Sequence, residues 1–135
     1  MPGEVDLSRL LGALSPQLLP GEFVFCTLPD AVYGDHAPLS PIASFREPEG
    51  LTLVLERNSA ESAALAFEAV FRCITLNVQS SLVAVGLTAA VSGALAQQGI
   101  SANVIAACYH DHIFVPAERA ADAMGVLKEL GGLGE

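Results

Sequence analysis

Side chains able to bind a metal crowd most closely at Tyr109-His110-Asp111-His112, where two imidazoles flank a carboxylate. Imidazole nitrogens and carboxylate oxygens hold zinc and related ions once three or four converge. The third histidine, His36, lies in a distant segment, and no CxxC or second HxH supplies the missing ligands. The same run suits a polar hairpin turn, because His and Asp tolerate backbone angles that most residues avoid. The expectation is a turn, with no metal and no other cofactor.

Covalent or acid–base catalysis has no better foothold. A nucleophile needs a base and an orienting group within reach, and the chain has no GxSxG elbow and no Walker or Rossmann glycine pattern. Cys26, Cys73 and Cys108 fall in stretches with strand character, where cysteine acts as a small hydrophobe. Glu47, Glu49 and Glu56 could pair as acid and base, with Arg46 clamping a carboxylate, but they flank a hairpin and fit a solvated turn. The pattern points away from an enzyme.

What remains is backbone chemistry. Gly86 stands where a strand hands over through a loop to a helix. A helix start exposes unpaired N–H groups at the positive end of a dipole, and a glycine lets an anion such as a carboxylate approach them. Gly99-Ile100-Ser101-Ala102-Asn103 turns the chain into the next strand. The Asn103 amide carries both donors and an acceptor, which suit an ammonium or a partner backbone. Each residue has a second reading. Gly86 with Ala89, Ala90, Gly93 and Gln97 forms a small-residue stripe fit for close helix contact, Asn103 can cap its turn, and Ser80 and Ser81 are N-cap candidates as much as ligand contacts.

The elements that hold these residues follow from periodicity and punctuation. Asp6 to Leu14 predicts a helix ended by Pro16 and Pro20-Gly21; Phe23 to Leu28 a strand; Pro29 to Pro41 a surface loop. Ile42 to Glu47 and Leu51 to Glu56 predict a hairpin through Pro48-Glu49-Gly50. Asn58 with Glu61 predicts a capping box opening a helix to about Phe67. Arg72 to Val78 is the next strand, and a helix over Val85 to Gln98 closes on Gly99. Asn103 to Tyr109 and His112 to Val115 predict strands around a His110-Asp111 turn, followed by a helix to Leu130 and a frayed tail from Gly131. Hairpin-then-helix occurs twice. That implies an α+β, ferredoxin-like antiparallel sheet with helices on one face.

Composition narrows the partners. The 135 residues are 52% hydrophobic and 16% charged, which excludes disorder. Six basic residues against fifteen acidic ones leave a net charge of −9, so neither nucleic acid nor an anionic membrane surface is an expected partner. No charge occurs between Arg72 and Asp111, and Leu82 to Ile100 has the length of a membrane span. Thr88, Ser92, Gln97 and Gln98 interrupt it and no basic or aromatic anchor flanks it, so cover by protein, including a partner subunit, is expected instead. An odd number of cysteines and an acidic start at Glu4 and Asp6 predict reduced, buried thiols, no targeting peptide and a cytoplasmic location.

The run from Gly86-Leu87 through Ala96, followed by Gln97-Gln98-Gly99-Ile100-Ser101-Ala102-Asn103-Val104, resembles an ACT domain. The resemblance covers Phe71 to Leu130 as β-α-β-β-α. The family's final strand would fall beyond Leu130, and a strand from the N-terminal half is expected in its place. The half from Phe23 to Phe67 looks like a second, truncated copy without its first helix. The expected division is residues 1–68, the truncated half, and 69–135, the ACT domain. FREPEGLTLVLE, VGLTAA and GISANVI are similar to runs in small bacterial ACT-like proteins of unassigned function.

The resemblance implies a regulatory module that senses a small molecule, an amino acid or similar carboxylate, as a homo-oligomer. Carried onto this chain, the family's ligand positions are Ser80, Ser81, Val85, Gly86, Leu87, Asn103, Val104 and Ile105. Amides near Gly86 would hold the carboxylate, oxygens near Asn103 the amino group, and Val85 with Ile105 an apolar wall. The chain departs from the family at Val83 and Val85, where an acidic or amide residue and a proline are usual. The alternative is a structural oligomerisation or docking domain with no ligand.

Overall fold

Asp6 opens helix α1 (Leu7–Gly12): its backbone is extended and its side chain accepts the Arg9 amide at 3.2 Å, satisfying one first-turn donor. The computed structural model describes residues 6–77 and 86–133. The chain divides into two compact units, one formed by Gly21–Phe71 and the other by the residues up to Pro20 together with those from Arg72 onward.

Strand β1 (Pro16–Leu18) follows α1 in a stretch whose prolines predict a break. A proline is tolerated as the first residue of a strand, and Pro16, Gln17 and Leu18 pair antiparallel with Leu76, Thr75 and Ile74 of strand β5 (Phe71–Leu76). The Leu19 amide extends the ladder to the Cys73 carbonyl at 2.9 Å, and the Arg72 guanidinium donates to the Leu19 carbonyl at 3.0 Å. The N-terminal segment therefore supplies the strand expected to replace the family's last one.

After the undescribed residues, Gly86 caps helix α3 (Leu87–Gln97) with a left-handed φ of 101°. At the far end Gly99 takes φ 70° and donates to the Ala96 carbonyl at 2.9 Å, the C′ glycine expected there. The Arg119 guanidinium completes that end by donating to the Gln98 carbonyl at 3.1 Å. Strands β6 (Asn103–Ala106) and β7 (Asp111–Pro116) form an antiparallel hairpin, and helix α4 (Ala120–Leu133) closes the unit after a 3-10 turn at Ala117–Arg119. The turn between the strands lies at Ala107–His110, closed by the Ala107 amide on the His110 carbonyl at 3.1 Å, so Asp111 belongs to β7. Helix α4 also continues past Leu130, where a frayed tail was expected.

In this unit the strands run in the order β1-β5-β7-β6. Ile74, Leu76, Ile113 and Val115 present one face to Leu10, Leu87, Val91, Leu95, Ala123 and Leu127 of the helices, all buried. Alternation along β5 and β7 puts Cys73, Thr75, His112 and Phe114 on the opposite face.

In the Gly21–Phe71 unit, strands β2 (Phe23–Leu28), β3 (Ala43–Glu47) and β4 (Gly50–Glu56) make an antiparallel sheet in the order β3-β4-β2. Phe71, the first residue of β5, pairs with Phe23, and its ring meets Phe25 edge-on at 5.3 Å. Val24, Cys26, Leu51, Leu53 and Leu55 form the core beneath helix α2 (Arg57–Ser62), which contributes Ala60.

Helix α2 is shorter than the expected Asn58-to-Phe67 helix and has no capping box. Glu56 is the N-cap, without a side-chain hydrogen bond, and Asn58 sits inside the helix. Glu61 instead accepts from Arg57 at 3.2 Å, one turn away, and Arg57 also donates to Glu22 at 3.0 Å. Ala64 ends the run with a left-handed φ of 58°. Each unit is thus an antiparallel sheet with helices on one face, the ferredoxin-like α+β arrangement expected from the repeated hairpin–helix pattern.

Candidate functional site

Of the eight positions expected at the ligand site, Ser80, Ser81 and Val85 lie outside the described residues. Gly86 stands at the start of α3 with φ 101° and ψ −22° and has no side chain with which to cap the first-turn amides. Leu87 is buried in the core, which leaves only its backbone amide for a ligand. The Leu7 side chain packs beside Gly86, with Cδ2 at 3.2 Å from the position of an added Cβ.

Asn103, Val104 and Ile105 open β6. Asn103 is exposed, and its side-chain nitrogen donates to the Phe114 carbonyl at 3.4 Å. Its side-chain oxygen has no partner among the described residues. Val104 packs against the helix-side core, and Ile105 is half-buried on the opposite face, in register with His112. Within one copy these residues are not gathered at one point. Eleven residues of helix run between Gly86 and the turn that leads to Asn103, about 16 Å at 1.5 Å per residue. In the strand order of this unit β6 lies at one end, so its outer edge has no strand beside it among the described residues.

The small-residue stripe of α3 points outward. Ala89, Gly93 and Gln97 are exposed, Ala90 is half-buried, and nothing lies within 4 Å of a Cβ built on Gly93.

A polar cluster that sequence reasoning missed occupies the sheet face away from the helices. Thr75 is 6% exposed, and its hydroxyl meets His112 Nδ1 at 3.0 Å. Burial pushes the Cys73 thiol up to about 11, against a smaller opposing hydrogen bond from Thr75. Burial also holds the His112 imidazole below its ordinary value, assisted by His110 and opposed by Asp111, while it raises the Asp111 carboxyl, with His112 opposing. The alternation of Cys73 and Thr75 against Ile74 and Leu76 is visible in the sequence. The partnership with His112 depends on strand order, which no local pattern reveals.

His110 Nδ1 and Arg72 Nε are buried without partners among the described residues. Among those residues no three His, Cys, Asp or Glu side chains converge as metal ligands, because Asp111 and His112 lie in a strand and alternate in direction. Cys108 is exposed in the hairpin turn, which corrects the expectation of three buried strand thiols; Cys26 and Cys73 are buried.

Antiparallel strands with helices on one face in each unit, the glycine-capped α3 and the polar opening of β6 define a tandem pair of ACT units. The chain belongs to the ACT domain family: one ACT-domain family matches residues 2–72 and another residues 68–129. Among solved structures, the chain is similar to a protein of unknown function from Vibrio cholerae, described as a possible transport protein. Identity there is 54%, over 93% of this chain and 95% of that one, with a TM-score of 0.85.

The fold is shared with the ligand-free regulatory subunit of aspartate kinase from Thermus thermophilus, at 13% identity over 87% of this chain and 98% of that one, with a TM-score of 0.60. It is also shared with Escherichia coli aspartokinase III in complex with aspartate and ADP, at 13% identity over 87% of this chain and 32% of that one, TM-score 0.58. None of the curated proteins matches the sequence. No helix among the described residues is long and apolar enough to cross a membrane.

Proposed function

We propose that the chain is a non-catalytic regulatory module that binds an amino acid, or a similar small carboxylate, at a site shared between two copies. The observation that carries this reading is the placement of Gly86 and Asn103 around α3. The first-turn amides suit a carboxylate, and the Asn103 oxygen suits an ammonium, yet the helix between them is longer than any single amino acid. Two copies, one offering the start of α3 and the other the start of β6, remove that mismatch. Family membership supports the ligand class, and the fold neighbour from Escherichia coli is a complex with aspartate. On this reading the bound ligand shifts assembly, and through assembly the affinity for a regulated partner.

Calorimetry across the twenty amino acids tests the ligand, with at least one saturable response expected; a flat panel on folded protein overturns it. Mixing tests the sharing. Gly86→Ala and Asn103→Ala proteins should each bind weakly alone, while mixed assemblies recover one intact site. No recovery in mixed assemblies overturns the shared site.

The exposed stripe of Ala89 and Gly93 favours a second reading, a docking surface without ligand. Gly93→Leu should then break assembly, as read by native mass spectrometry. A chain that is monomeric at high concentration before any substitution defeats this reading.

A further inference from the structure

The outer strand of the Gly21–Phe71 unit leaves a backbone ladder open. β3 stands at the end of the order β3-β4-β2, and no strand lies on its other side among the described residues. Ser44, Phe45, Arg46 and Glu47 are all exposed, Phe45 at 71%. Four of the six large apolar side chains exposed among the described residues, Val32, Tyr33, Ile42 and Phe45, lie on β3 or in the crossover leading into it. An uncovered edge beside apolar groups is a template for pairing, and folded proteins blunt such edges with lysine, proline or a covering segment. β3 carries neither lysine nor proline.

The hairpin decides which groups face outward. Only Pro48 and Glu49 separate Glu47 from Gly50, and a two-residue loop makes the flanking pair exchange both of its hydrogen bonds. Bonded pairs then alternate along the ladder. Glu47, Phe45 and Ala43 turn their N–H and C=O toward β4, while Ser44 and Arg46 turn theirs away from it. The Phe45 side chain, in register with Thr52, lies on the face away from Leu51 and Leu53 and the core beneath α2.

This edge is complementary to itself in one register. A two-fold axis sets one residue of an antiparallel pair opposite its own copy. With the axis at Phe45, Ser44 of each copy faces Arg46 of the other, and every outward N–H and C=O of both residues finds a partner. The two Phe45 rings then meet as a non-hydrogen-bonded pair, the closer of the two spacings. Moving the axis to Arg46 sets two guanidiniums opposite each other and Ser44 against Pro48, which has no N–H. Moving it to Ser44 sets Arg46 against Ile42, whose N–H is already given to the Val54 carbonyl at 2.8 Å. Charge favours the same match. Residues 21–71 hold eight acidic residues and two arginines, and Arg57 is engaged by Glu22 and Glu61; pairing carries Arg46 across to the acidic unit of the other copy. We propose that the chain pairs with a second copy of itself through β3, antiparallel and centred on Phe45. The contact needs no ligand and uses none of the residues assigned to the amino-acid site.

Cysteine placement reads the register, since Cys26 and Cys73 are buried. In a Cys108→Ser background with oxidised glutathione, Phe45→Cys should form a disulfide-linked dimer at least tenfold faster than Ser44→Cys or Arg46→Cys alone, because only residue 45 faces itself. Arg46→Pro removes an outward donor and leaves the β4 ladder intact. That variant should stay folded by circular dichroism and dimerise at least tenfold more weakly. Phe45→Lys, which sets two ammonium groups across the axis, should weaken the dimer as much. Native mass spectrometry and sedimentation without added amino acid read the assembly. A monomeric parent chain, a dimer that survives both Arg46→Pro and Phe45→Lys, or cross-linking no faster at residue 45 than at residue 44 overturns the proposal. A monomer whose β3 amides respond only to an added extended peptide overturns it too, and gives the edge to a foreign strand.

Discussion

Leu7 packs against Gly86, its Cδ2 standing 3.2 Å from where a Cβ on residue 86 would lie. The contact joins α1 to the start of α3 and makes two demands on residue 86, one of space and one of backbone angle. Leu7 is the end of a flexible, partly exposed side chain and can give way. The φ of 101° cannot. Gly86→Ala should therefore cost about 1–3 kcal/mol, mostly from the torsion. Leu7→Ala in the same chain should restore only a small part. Urea unfolding of the two single variants and the double variant separates the terms.

Gly50 is more tightly held. At φ 144° its added Cβ would lie 2.5 Å from the Leu28 carbonyl oxygen and 2.7 Å from the Pro29 Cα, both backbone atoms that cannot rotate aside. Gly50→Ala should destabilise the protein by at least about 3 kcal/mol, more than Gly86→Ala. Thermal and urea unfolding compared across the two variants checks the order.

Acid should weaken the fold through His112. Burial holds its imidazole below the ordinary 6.5, so on acidification the unfolded chain takes up the proton before the folded one. Stability from this group is complete above about pH 6.5 and falls as pH descends toward the lowered value. Asp111 is raised from 3.8 and acts in the opposite sense in a more acidic window, where protonation of the folded chain relieves a buried charge. His112→Gln should flatten the loss of stability between pH 7.5 and 5.5. An equal loss in both proteins would assign the effect to other groups.

The three thiols should react in two classes. Cys108 is exposed, Cys26 and Cys73 are buried, and burial raises the thiols of both buried residues, Cys73 to about 11. Nucleophilic attack requires the thiolate and access to it. A disulfide reagent at pH 8 should modify one thiol per native chain and three after denaturation. Cys108→Ser should remove the fast class.

Element types were legible where local chemistry sets them. The FVFCTL strand, the hairpin through Pro48-Glu49-Gly50 and the Gly99 stop all appear where punctuation and alternation place them. Local rules failed where a long-range partner decided. Pro16 and Pro20 mark a break by propensity, yet pairing with β5 makes a strand of Pro16–Leu18. Asn58 and Glu61 match a capping box in spacing, but Arg57 draws Glu61 into an ion pair and the N-cap falls two residues earlier, at Glu56. The candidate site was half legible. Gly86 and Asn103 carry recognisable chemistry, whereas their separation by the length of α3 is a fact of topology.

The loan of Pro16–Leu18 to β5 also sets an order of events on the ribosome. Residues 21–71 hold their own sheet and core, so the contacts inside that unit need nothing that is synthesised after it. The first twenty residues emerge earlier yet must wait for β5 and the helices beyond it, carrying Leu10, Leu11, Leu14 and Leu18 uncovered meanwhile. Severing the gene near codon 69 would strand that segment permanently, leaving the downstream fragment with a bare β5 flank and a hole where Leu10 belongs. Fusing the opening segment behind a flexible tether after the last helix, by circular permutation, is the rearrangement that would let the C-terminal module stand alone.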